Sequence, residues 1–326
     1  MRAIALDAYG SPASLRLVSR PEPVPAAGEV LVRIAAASVN PSDLAFIRGR
    51  YGVRKRLPVV PGFEGSGVVV ATGNGAEALL GARVALPAGD GDGTWAEYAV
   101  ARARHCIRLR EGADLEAAAA LVINPMSAWA LLDVAVAGAH RAAISTAAAG
   151  ALGRMLARLA RSRGYPLLHI VRRPEQVTAL RALGAEHVLD SSADGFEEEL
   201  ARAAADLAAT IAFDAVGGPL TRQLLAALPR GGRVLVYGAL ADADVCVSPL
   251  ELVFGNKRIE GFWLSEWLRA RTERELTDAR AAVQERLADD LRTEVRLRVH
   301  LPELPDAIAR YAAEMTAGKV LLIPST

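Results

Sequence analysis

The chain has 326 residues, with 38 basic and 37 acidic side chains, a formal net charge of +1, 52% hydrophobic residues and 23% charged ones. That length allows two domains and a large buried core, the composition excludes a disordered or fibrous chain, and the near-zero balance supplies no field for holding nucleic acid non-specifically. Cys106 and Cys246 are the only cysteines, too few for a disulfide scaffold or a thiolate zinc cluster. No apolar window is long enough to span a bilayer, and Asp7 interrupts the N-terminal apolar run, so a cytoplasmic protein with no membrane partner is expected.

In chain order, the first 110 or so residues read as short strands broken by Gly and Pro: 29–36, then 65–72 with its three consecutive valines, then 82–86. No sustained helical periodicity interrupts them, which predicts a β-rich, barrel-like unit. From about residue 115 the texture changes, and 115–132 reads as a helix-rich connection. Strands at 142–145, 167–171, 187–189, 210–213 and 233–237 then alternate with helices at 151–162, 175–183, 196–207 and 220–228. Such alternation predicts a parallel sheet covered on both faces, doubly wound by right-handed crossovers. After 259–264 the pattern changes again, to an amphipathic helix at 272–288, an alternating strand at 294–301, a helix near 305–315 and a last strand at 320–323. This tail is read as returning to complete the first domain.

The segment Ser145-Thr146-Ala147-Ala148-Ala149-Gly150-Ala151-Leu152-Gly153 follows an apolar strand and opens a helix, which is the context a dinucleotide fingerprint requires. Ala148, Ala149, Gly150, Ala151, Leu152 and Gly153 are therefore candidate cofactor residues, their backbone N–H groups lying at a helix N-terminus. Ala148 holds the first glycine position of G-x-G-x-x-G, and a purely structural turn is equally consistent with these residues alone. The second strand sharpens the choice. Where an NAD enzyme places a carboxylate about 20 residues on, this chain has Arg172 and Arg173, and guanidinium clasps a 2′-phosphate that a carboxylate would repel. NADPH is the cofactor this favours, the competing reading being two arginines that solvate a loop. Tyr237 closes the fifth strand, at the carboxyl edge where such sheets bind ligands. The five histidines show no ligand spacing and are read as structural, and no metal is expected.

Four stretches, Asn40-Pro41-Ser42-Asp43 with 47–52, Gly93-Thr94-Trp95, 124–129 and 261–267 with Trp263 and Trp267, resemble the zinc-independent branch of the medium-chain dehydrogenase/reductase superfamily. The likeness runs end to end and is nearest to the mitochondrial-type 2-enoyl thioester reductases, then to the NADPH:quinone oxidoreductases. It implies an α/β fold in which a Rossmann doubly wound parallel sheet is inserted in a β-rich GroES-like (chaperonin-10-like) catalytic domain, with boundaries at 1–117, 118–262 and 263–326. Where zinc relatives carry Cys and His, this chain has Asn40 and, in Gly62-Phe63-Glu64, Phe63. The activity implied is NADPH-dependent reduction of an activated C=C bond, most plausibly of a trans-2-enoyl thioester of coenzyme A or acyl carrier protein. Hydride then goes to the β-carbon and a proton to the α-carbon from Tyr51, at the family's proton-donor position. The alternatives are quinone reduction, which needs no dedicated donor, and a non-catalytic NADPH-sensing or nucleic-acid-binding relative.

The resemblance further implies that Asn40 and Ser127 line the nicotinamide site, that Phe262 and Trp263 wall the pocket or floor the dinucleotide, that Lys319 lies near the cofactor, and that Trp95 lies near the small-molecule substrate. Arg48, Arg50, Arg54, Lys55 and Arg56 crowd around Tyr51. Of these Arg54, Lys55 and Arg56 are candidates for the phosphates of coenzyme A or an acidic carrier, or else belong to a solvated loop. The apolar segment 245–254 is expected to pair across a two-fold axis and extend the sheet in a homodimer.

Overall fold

Gly and Pro cut the first third of the chain into β1 (Arg2–Leu6), β2 (Leu15–Ser19), β3 (Glu29–Ser38), β4 (Glu64–Thr72), β5 (Arg83–Pro87), β6 (Tyr98–Arg102) and β7 (Ile107–Arg108) in the computed structural model, which describes residues 1–313 and 318–324. One helix, α1 (Pro41–Ile47), interrupts a region that reads as strands alone. Its seven residues are too few to carry a periodic signal. It starts from local chemistry instead: Pro41 occupies the first turn, and the Asp43 carboxylate accepts the Asn40 N–H at 2.7 Å. A one-turn helix, α2 (Leu115–Ala118), is capped by Asp114, and α3 (Asn124–Ala137) follows.

Six strands then lie parallel: β8 (Ala143–Ser145), β9 (Leu167–Val171), β10 (His187–Asp190), β11 (Ile211–Asp214), β12 (Arg233–Val236) and β13 (Arg258–Gly261). Their order is β10-β9-β8-β11-β12-β13, the doubly wound arrangement, with its reversal between β8 and β11. Between them run α4 (Ala151–Ser162), α5 (Pro174–Ala182), α6 (Phe196–Asp206), α7 (Pro219–Ala227) and α8 (Pro249–Val253). One face of the sheet buries Ile144, Leu168, Ile170 and Ala212 against Leu200 and Leu224. The expected strand over 245–254 is not formed. Ser248 accepts the Leu250 N–H, Pro249 fills the first turn, and the segment closes as α8, leaving β13 at the sheet edge.

α9 (Leu264–Arg269), α10 (Glu273–Glu285), β14 (Val295–Val299), α11 (Leu304–Ala313) and β15 (Lys319–Leu322) complete the described chain; Glu314 and Met315, the expected end of the last helix, lie outside the described residues. β15 pairs antiparallel with β3 (Leu321 opposite Ser38) and parallel with β14, extending the sheet β14-β15-β3-β4-β5-β7, with β6 on β3. The chain thus separates into one unit of Met1–Pro125 with Arg280–Thr326 and a second of Met126–Ala279. The passage back comes later than residue 263 because the segment after β13 is fastened inside the second unit: Arg271 pairs with Asp133 at 3.0 Å and lies 4.7 Å from the ring of buried Trp267. Among the described residues no helix is long and apolar enough to cross a membrane.

Candidate active site

In the second unit, the turn after β8 is anchored to both neighbouring strands. Thr146 N–H donates to the Phe213 carbonyl of β11 at 3.0 Å, and Ala148 N–H to the Ile170 carbonyl of β9 at 3.2 Å. Ala147 takes φ +47°, and Gly150 caps α4. Gly153 has a packing reason: a Cβ there would sit 2.5 Å from the Ala148 carbonyl oxygen, so only glycine lets α4 close on the strand end. The first turn of α4 holds no acidic side chain, and Arg154 donates to the Ala149 carbonyl at 2.7 Å, adding positive charge at the turn. These features fit a dinucleotide pyrophosphate: free first-turn N–H groups, the helix dipole and a nearby cation.

A residue that the sequence reading missed, Asp214, builds this turn together with Thr146 of the segment itself. Asp214, fully buried at the end of β11, accepts Thr146 Oγ1 at 2.8 Å and Val216 N–H at 2.8 Å on Oδ1, and Gly217 N–H at 3.2 Å and Thr221 Oγ1 at 2.6 Å on Oδ2. Thr146 Oγ1 in turn accepts Ala215 N–H at 2.8 Å. The available signal was a carboxylate closing the apolar strand Ile211-Ala212-Phe213 just before Gly217-Gly218-Pro219. Tyr237 follows β12 and donates its N–H to the Asp214 carbonyl at 2.8 Å; burial, with Asp214 nearby, pushes its phenol above the ordinary tyrosine range. Arg172 is exposed at the end of β9, whereas Arg173 pairs with Glu175 at 3.0 Å. Ser127 is buried in α3, Phe262 is half-buried, and Trp263 is partly exposed at the start of α9 with Arg269 5.8 Å from its ring.

In the first unit, the structure brings Asn40 and Lys319 together in a buried polar cluster. Lys319 Nζ donates to Asn40 Oδ1. Asn40 Nδ2 donates to Ser38 Oγ and to Glu64 Oε1, each at 2.9 Å, and Ser38 Oγ donates to the same Glu64 oxygen at 2.6 Å. Glu64 Oε2 accepts Ile123 N–H at 2.8 Å. Lys319 is thus buried among acidic side chains, Glu64 and Asp43, whose nearness offsets part of the lowering that burial imposes on its ammonium, and both ends of the Asn40 amide are engaged by this network. Burial pushes Asp43 up to about 7, Glu64 adding to the effect, against the lowering by the Asn40 and Phe63 N–H groups and Lys319.

Tyr51 is half-buried on the loop after α1, its ring 4.7 Å from that of Phe63. Two expectations here are corrected. Trp95 is not at a substrate surface: it is fully buried in the core of this unit, its indole N–H on the Ser38 carbonyl at 3.2 Å. Lys55 is not free to meet a phosphate, because its Nζ donates to the Gly89 and Gly91 carbonyls at 2.8 and 2.6 Å. Arg54 donates to the Gly49 carbonyl at 3.1 Å, and Arg56 is exposed.

Comparison with known proteins agrees with this architecture. The alcohol dehydrogenase GroES-like domain family matches residues 26–111, and the zinc-binding dehydrogenase family matches 151–281. Human mitochondrial enoyl-acyl-carrier-protein reductase is 33% identical over 279 residues, covering 82% of this chain and 73% of the relative. Among solved structures, a Mesorhizobium loti protein provisionally named an NADPH:quinone reductase superposes with a TM-score of 0.93 at 35% identity, over 99% of this chain and 98% of that one. The Thermus thermophilus quinone oxidoreductase, also solved with NADPH, gives 0.82 at 30% identity over 99% and 100% of the two chains. Fold, nucleotide turn and full-length likeness agree: the chain belongs to the medium-chain dehydrogenase/reductase superfamily.

Proposed function

We propose that the chain is an NADPH-dependent oxidoreductase that reduces the activated C=C bond of a trans-2-enoyl thioester. The observation that carries the cofactor is the turn 146–153, pinned to β9 and β11 and opening onto α4, with Arg172 at the end of the next strand for a 2′-phosphate. NADPH held there supplies the hydride. Asp214 and Thr146 keep the turn in shape, and Tyr51 delivers the proton to the α-carbon from its phenol oxygen, a group that ordinarily stays protonated at neutral pH and donates well to a developing enolate. The likeness to the enoyl reductases supports this substrate class.

Quinone reduction is the second reading, favoured by the close superposition on quinone reductases. Zinc plays no part in either. Asn40 and Phe63 stand where ligands would be needed: the Asn40 carboxamide is engaged by Ser38, Glu64 and Lys319, Phe63 offers no donor atom, and the Lys319 ammonium already lies in the cluster. A homodimer built on the β13 edge and α8 is part of the same proposal.

Mixing purified protein with NADPH and crotonyl-CoA, then with a benzoquinone, and repeating with NADH, tests the reading by loss of cofactor absorbance. Turnover of crotonyl-CoA with NADPH is expected, and Tyr51→Phe is expected to lower kcat by about 100-fold or more. Turnover of quinone alone, untouched by Tyr51→Phe, overturns the enoyl assignment. NADPH binding with no turnover of either substrate favours a sensing relative.

A further inference from the structure

The loop carrying Tyr51 is tied down by a residue far away in the chain. The Tyr9 hydroxyl donates to the Lys55 carbonyl at 2.8 Å and accepts the Lys55 N–H at 2.8 Å, so one phenol closes on both backbone groups of one residue, 46 positions on. Lys55 Nζ extends the tie to the Gly89 and Gly91 carbonyls. At the other end of the loop, Arg54 bonds the Gly49 carbonyl and lies 5.4 Å from the Tyr9 ring centre. Gly49 has φ +71°, and a Cβ there would come within 3.1 Å of Tyr9 Cβ, so the chain passes tightly over Tyr9. The rings form a second link. Tyr9 meets Phe46 edge-on at 5.5 Å, Phe46 meets Phe63 at 5.4 Å, and Phe63 meets Tyr51 at 4.7 Å.

We propose that Tyr9 and Lys55 are positioning residues for Tyr51, fixing the 49–55 loop so that its phenol is held in one place for proton delivery. The inference rests on Tyr51 being the proton donor. The ties fix the Lys55 end of a largely exposed loop, and a misplacement of about 1 Å at a proton donor costs on the order of 100-fold in rate. The two ties also explain why a lysine beside the proposed donor has its ammonium turned to carbonyls rather than to substrate.

Crotonyl-CoA reduction by NADPH is measured for wild type, Tyr9→Phe, Lys55→Met, Lys55→Arg and Tyr51→Phe, with hydrogen exchange over residues 49–56 as a readout that needs no turnover. Tyr9→Phe and Lys55→Met are expected to lower kcat about tenfold or more while the NADPH KM stays put, and to raise the solvent deuterium isotope effect on kcat. Lys55→Arg restores most of the rate, because a guanidinium still donates to both carbonyls. Exchange over 49–56 speeds up about tenfold or more in Tyr9→Phe. Unchanged exchange in Tyr9→Phe and Lys55→Met overturns the inference. So does full kcat in both when Tyr51→Phe is inactive, which leaves the proton-donor reading intact. Full kcat in Tyr51→Phe removes the proton-donor reading, and this inference with it. A raised crotonyl-CoA KM at unchanged kcat in Lys55→Met returns that lysine to phosphate binding.

Discussion

Asp214 has both carboxylate oxygens committed to four donors from three segments: the turn after β8, the 216–217 loop and the first turn of α7. A buried carboxylate held this way links pieces of backbone that no periodic pattern would connect. Asparagine keeps the shape but turns an N–H₂ toward groups that also donate, leaving buried donors unmatched at about 1–3 kcal/mol each. Asp214→Asn is therefore expected to raise the NADPH dissociation constant about tenfold or more, checked by fluorescence titration beside a melting curve. A fall in Tm with unchanged NADPH affinity would leave Asp214 a fold residue only. The contrast with Gly153 shows what was legible at this scale. Gly153 belongs to a spaced motif and could be read, whereas the partners of Asp214 and Tyr9 depend on how distant segments pack. The resemblance alone pointed to Lys319, and its bond to Asn40 in the core, a pairing set by β15 docking beside β3, could not be read from either residue's neighbours in the chain.

At the level of elements, β9 and α4 were readable to the residue because each carries its own stop signals: an apolar run broken only by His169 and ended by Arg172-Arg173-Pro174 for β9, and a Gly150 start for α4. Segment 245–254 was not, since an apolar run rich in valine reads as strand until Ser248-Pro249 is recognised as a helix start. The outcome moves the homodimer proposal without removing it. α8 leaves Leu250 at 64%, Val253 at 67% and Phe254 at 68% exposure, and β13 beside it ends the sheet with one edge unpaired among the described residues. In the proposed dimer a two-fold axis would set the open β13 edge antiparallel to its own copy, and the α8 apolar side chains would supply surface to be covered. Sedimentation at micromolar concentration is expected to give a dimer for the wild type and a shift toward monomer for Phe254→Glu. A wild type that sediments as a monomer across the range sinks this arrangement.

Over the whole molecule, the alternation of strands and helices was enough to give a parallel sheet of reversed order, while the unit boundaries depended on ties such as Arg271 with Asp133 that sequence does not display. The two units also carry buried titrating groups of opposite sense. In the first, Asp43 is pushed up from 3.8 to about 7, chiefly by burial, so it binds more protons folded than unfolded between those values. Its stabilising contribution is whole below about pH 4 and lost as pH rises through about 7. In the second, His169 on β9 is pulled from 6.5 to about 4, chiefly by burial and then by His187, so its contribution is whole above about pH 6.5 and lost as pH falls through about 4. For His169 that is on the order of 3 kcal/mol over the window. Acidification from neutrality to about pH 5 therefore strengthens the first unit and weakens the second through these groups. Hydrogen exchange resolved along the chain at the two pH values should show protection falling in residues 126–279 relative to 1–125. His169→Gln flattens the pH dependence of the second unit, and Asp43→Asn that of the first. Parallel loss of protection in both units, unaltered by either substitution, would mean that surface charges and not these two buried groups set the acid response.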